Sequence, residues 1–187
     1  MDEFNELEVE DALKLEELIK NEEYTSFVYE NTFSADPILV LGILHKASLL
    51  PTPNVLQFLL NLKYLDPNRI NLRGETPFYF VCTSQKLPAI KCLLKDPRVD
   101  THKPDTVGKT PLMVCVAQGF LPGIEVLIAS GRELNLATTD KKNKNLIQYA
   151  KEMNQNEITS LLEIYQNNPA GCRKEMRIKH GFSGLKK

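Results

Sequence analysis

Three histidines and four cysteines are the residues best equipped for nucleophilic or metal chemistry in this 187-residue chain. The cysteines, Cys82, Cys92, Cys115 and Cys172, are separated by 10, 23 and 57 positions. None forms a C-x-x-C pair, and no histidine is close enough in sequence to complete a zinc-type cluster. Free, buried thiols in a reducing compartment are the expectation. His180 lies in a basic stretch and is expected to be solvated. The chain carries no G-x-G-x-x-G, P-loop, H-E-x-x-H or EF-hand pattern. Catalysis needs a positioned acid, base or nucleophile in a concave site, and no such set is visible. The reading is therefore no catalytic residue, no metal, no cofactor and no enzyme.

The elements that hold these residues come from an internal repeat. Gly74-Glu75-Thr76-Pro77-Phe78 recurs as Gly108-Lys109-Thr110-Pro111-Leu112, a step of 34. The same step aligns Leu56, Ile90, Ile124 and Ile158. It also aligns Leu59, Leu93, Leu127 and Leu161, and then Leu60, Leu94, Ile128 and Leu162. Each unit reads as two short helices. Thr76 and Thr110 are expected N-caps, with Pro77 and Pro111 at the first helical position, where a missing N–H costs nothing. The second helices open near Pro88 and Pro122, with apolar residues at i, i+3 and i+4. Asp, Asn, Pro and Gly crowd residues 66–74 and 105–108, the composition of tight turns. Cys82, Cys115 and Cys92 fall in small or apolar columns of this register and read as packing residues. A unit of this size cannot bury its apolar face alone, so about three or more must stack.

The D-x-x-G-x-T-P-L pattern, the paired leucines and the 34-residue step resemble the ankyrin repeat. Four units are expected, at about 38–71, 72–105, 106–139 and 140–167. The first keeps Leu44-His45-x-Ala47, and the fourth replaces Thr-Pro with Lys144-Asn145. The resemblance implies an all-α solenoid of stacked helix-turn-helix units with β-turn or hairpin loops. It would have N-terminal capping helices and a short C-terminal helical tail. It also implies that His45 ties neighbouring turns together and that His102, where the family usually has Asn, bonds to backbone. In this family partners are held by turn tips and exposed positions of the first helices. Carried over, the tips are Leu72, Arg73, Glu75, Thr106, Val107, Lys109, Lys141 and Asn143. The helix positions are Thr83, Ser84, Ala117, Gln118, Lys151 and Glu152. This strip is mildly basic and partly apolar, which suits an acidic, apolar protein partner, and Arg73 is the first choice among its residues.

The ends differ from the body. Residues 1–23 hold ten acids and two bases, a net of −8, while residues 173–187 hold six bases and one acid, a net of +5. Residues 1–37 are expected to form an acidic helical cap. Phe4, Leu7, Ala12, Leu15, Leu18 and Ile19 would lie on the first repeat, and the aromatic residues at 24–37 would seal the stack. Residues 168–187 are read as a basic tail. A helix would run from Asn168-Pro169 to Gly181, docked in part on the fourth repeat and loose after Phe182.

Overall charge is −1, which argues against a dedicated nucleic-acid binder. No apolar run of about 18 residues is present, and the acidic N-terminus lacks signal-peptide character. The expectation is a non-catalytic, monomeric protein-interaction module of the cytoplasm or nucleus. The alternative is a regulatory or targeting segment of an enzyme complex, with the basic tail as linker or docking site.

Overall fold

Proline, threonine and asparagine set where the helices begin. The computed structural model describes residues 42–50, 52–62, 65–139 and 143–182. Within them lie α1 (Ile43–Leu49), α2 (Asn54–Asn61), α3 (Pro77–Thr83), α4 (Leu87–Leu93), α5 (Pro111–Ala117), α6 (Leu121–Ser130), α7 (Leu146–Glu152), α8 (Asn156–Asn167) and α9 (Pro169–His180). The side chain of Thr76 accepts from the Tyr79 amide at 3.1 Å, and Thr110 accepts from Met113 at 3.3 Å. Both capped helices have proline in the first turn. The fourth unit lacks Thr-Pro but reaches the same end by a capping box. Asn145 accepts from the Gln148 amide while the Gln148 side chain accepts from the Asn145 amide.

The first helices α1, α3, α5 and α7 stack in one layer, and α2, α4 and α6 stack in a second. The repeat columns form the core. Leu56, Ile90, Ile124, Leu59, Leu93 and Leu127 are essentially inaccessible, and Leu161 is partly buried against the same cluster. Among the described residues the single β feature is a bridge between Thr139 and Asn145 in the loop of the fourth unit. The architecture is thus the all-α repeat stack that the sequence register predicts. The expected N-terminal cap, with its aromatic cluster, lies outside the described residues.

The turns before α3, α5 and α7 each hold a left-handed residue. Gly74 and Gly108 supply it at φ 75° and 84°, and Asn143 does so in the fourth unit at φ 59°. A Cβ on Gly74 would stand 2.9 Å from the Thr106 backbone nitrogen, so glycine also allows consecutive turns to touch.

The tail helix has the expected bounds, but its main seat is different. Helix α9 packs chiefly on α6 of the third unit and secondarily on α8. Asn168 alone separates α8 from α9, and its side chain accepts from the Gly171 amide at 3.0 Å. Cys172 and Met176 are buried. Arg177 Nε donates to the Ala129 carbonyl at 2.9 Å, at the C-terminal end of α6. Lys179 and His180 both reach Glu125. Left-handed Gly181 ends the helix, and the Phe182 amide bonds back to the Arg177 carbonyl at 3.0 Å. Residues 183–187 lie outside the described residues.

Candidate protein-interaction surface

The turn tips are built by short-range bonds that fix the backbone and leave several side chains outward. Asn71 Oδ1 accepts from the amides of Arg73 (2.9 Å) and Glu75 (3.0 Å). Asp105 Oδ1 repeats this 34 positions on, accepting from Val107 and Lys109 at 2.9 Å each. The Thr106 amide donates to the Arg73 carbonyl at 3.1 Å, which joins one tip to the next. Leu72 is 65% exposed, Val107 52% and Ile70 48%.

The expected contact residues divide by environment. Leu72, Arg73, Thr106 and Val107 lie at the surface, and Gln118 is exposed with its carbonyl accepting from Gln85 at 3.0 Å. Arg73 keeps 72% of its side chain in solvent while meeting Glu75 at 3.1 Å. Glu75 is buried and also accepts from Asn71 Nδ2 at 2.7 Å, so its carboxylate is committed to holding the turn. Lys109 is half-buried, with its ammonium 5.8 Å from the centre of the Tyr149 ring. Thr83 and Ser84 are half-buried at the end of α3, where the Thr83 hydroxyl donates to the Tyr79 carbonyl. Ala117 is half-buried. Lys151 pairs with Glu163, and Glu152 with Lys144. Asn143 is exposed but holds a left-handed turn. Lys141 lies outside the described residues.

The residues first considered for chemistry hold the stack together. His45 Nε2 donates to the Glu75 carbonyl at 2.9 Å, and burial lowers its pKa, so the ring stays neutral. His102 Nε2 donates to the Glu133 carbonyl at 2.7 Å. His180 is not solvated as the sequence reading had it; it is held against Glu125 at 2.8 Å. Tyr79, which occupies the His45 column, does the same task by another route, donating its hydroxyl to Asp105 at 2.6 Å. Burial and the Asp105 carboxylate push its pKa upward. All four cysteines are free and buried. Burial raises the pKa values of Cys82, Cys92 and Cys172, and contact with Cys115 adds to the effect at Cys82, which disfavours the reactive thiolate. No group of three or more His, Cys, Asp or Glu residues suited to a metal ion occurs among the described residues. No described helix is long and apolar enough to cross a membrane.

Sequence reasoning missed an arginine column at the same 34-residue step. Arg98 donates to the carbonyls of Leu60 and Leu65, near the end of α2. Arg132 donates to those of Leu94, Asp96, Pro97 and Val99 after α4. Each guanidinium satisfies carbonyls that a helix end leaves open. The signal was present as Arg98 and Arg132 in equivalent places.

Paired helices joined by stapled turns, stacked on a repeating apolar register, define an all-α repeat solenoid. A sequence model described as Ankyrin repeats (3 copies) matches residues 44–138. The chain belongs to the ankyrin-repeat family. The structure carries the helical pairing beyond that match, through α7 and α8. No sequence among the curated proteins matches the chain. Ankyrin repeats are in general protein-interaction modules and typically non-catalytic.

Proposed function

We propose that the chain is a non-catalytic adaptor that binds a protein partner across the tips of its second and third turns and the adjoining first helices. The observation that carries this reading is the exposure of Leu72, Arg73 and Val107 on a backbone that Asn71, Asp105 and the tip-to-tip bond hold rigid. Large apolar side chains on a rigid surface lose little conformational freedom on binding. Lys141, Asn143 and Lys151 would extend the strip into the fourth unit. The partner would carry acidic and apolar groups.

Affinity purification of the intact chain beside a Leu72→Ser, Arg73→Ala double variant tests this. The expected result is a partner captured by the parent and lost by the variant, with thermal stability unchanged. Equal capture by both would place the site elsewhere. Loss of binding together with a matching loss of stability would also overturn the assignment.

A further inference from the structure

Several cations of the basic tail are engaged within the fold. Arg177 and His180 of the tail are held against Ala129 and Glu125, and Lys179 pairs with Glu125 while keeping 55% of its side chain in solvent. Arg173 donates to the Tyr165 hydroxyl at 2.8 Å and lies over that ring. At the tips, by contrast, Arg69 and Arg73 are exposed, and Ile70, Leu72 and Val107 lie beside them. The tip carboxylates face the other way: Glu75 is buried, and Asp105 is occupied by Tyr79 and two amides. The outward chemistry of this strip is cationic and apolar.

Residues 1–23 have the complementary chemistry, with ten acids interspersed by Phe4, Leu7, Leu15, Leu18 and Ile19. The point of attachment also favours this strip. The described chain begins at Gly42, where a Cβ would lie 3.8 Å from the Arg69 side chain. Residues 24–41 connect the acidic segment to this edge of the strip. Those 18 residues can span up to about 60 Å when extended. Crossing two stacked units takes only about 20 Å at ordinary helix spacings.

We propose that residues 1–23 dock in cis on the strip formed by Arg69, Ile70, Leu72, Arg73 and Val107, and so compete with an outside partner for it. The inference rests on reading that strip as the binding face. It makes the acidic segment an intramolecular competitor, whose release frees the surface. A tethered ligand acts at an effective concentration of about millimolar, so modest intrinsic affinity suffices to occupy the site.

All four native cysteines are buried, so a spin label can be directed to Asn5→Cys in the full chain. The expected result is selective loss of amide NMR signals at residues 70–74 and 106–109, abolished by Leu72→Ser with Arg73→Ala. Signal loss centred on α9 would overturn the proposal. So would loss that persists only between labelled and unlabelled molecules, which would mark a second copy as the occupant. A second measurement uses the full chain with Glu6→Gln, Glu8→Gln, Glu10→Gln and Asp11→Asn. A synthetic peptide of residues 1–23 should bind this chain about tenfold more tightly than the parent, because the cis competitor is weakened. Equal affinity would overturn the proposal. An outside partner held through Leu72 and Arg73, without the intramolecular signal loss, would leave the adaptor reading standing and remove only this one.

Discussion

The second and third units and the C-terminal end of the stack solve the same problem with different chemistry. In the middle, each outer helix ends on carbonyls held by an arginine from the following unit, Arg98 for α2 and Arg132 for α4. Another step of 34 reaches Gln166, too short and uncharged to serve that way. Arg177 of α9 takes over, approaching Ala129 from a helix outside the repeat register. The end is also more ionic. Glu125 is buried on α6, and Lys179 and His180 close over it. A repeated joint can rely on geometry shared by neighbouring units. The outer helix of the third unit receives no such arginine from the fourth and is closed by charge placed from α9.

The largest effect should come from the shared core. Phe78→Ala removes an inaccessible ring from α3 and should cost about 3–5 kcal/mol by denaturant unfolding. Ile164→Ala, on the exposed side of α8, should change stability by less than about 0.5 kcal/mol. Comparable losses would mean that burial in the repeat register does not set the stability.

The arginines sharpen it further. Arg132→Ala abandons four carbonyls and should cost about 2 kcal/mol, whereas Arg177→Ala abandons one and should cost about 1 kcal/mol. The reverse order would mean that α9, and not the repeat register, carries the stability.

Acid should separate the two regions next. Burial pushes the pKa of Glu125 up, but Lys179 and His180 outweigh burial and hold it below the ordinary glutamate value. A depressed carboxylate contributes stability above its unfolded value of about 4.3, and that contribution fades as pH falls through the lower, folded value. Amide protection in α9 should therefore drop between neutral pH and about pH 3, relative to α3 in the same sample. Glu125→Gln should flatten that difference, and an unchanged pH response in the variant would remove Glu125 as its source. The smallest effect belongs to the tips. Leu72→Ser should shift unfolding by less than about 0.5 kcal/mol, because the side chain is mostly in solvent.

The stack was legible because apolar columns and turn signals recur at a fixed step. Thr76, Pro77 and the Leu59 column each say where a helix starts or which side faces inward. The tail was only partly legible. Cys172 and Met176 marked an apolar face, yet nothing local in sequence connects that face to Glu125, about 50 positions earlier. The contact depends on the one-residue break at Asn168, whose geometry periodicity does not encode. The tips were legible in position but not in orientation. Glu75 and Arg73 are two residues apart in one turn, and the structure buries the first while exposing the second.

The arginine joints all point one way along the chain. Arg98, Arg132 and Arg177 each reach back toward residues made before them. Each joint therefore closes only after its arginine has been made, and the joint on α6 waits for α9, beyond the fourth unit. The three arginine joints thus close in chain order, α9 supplying the third.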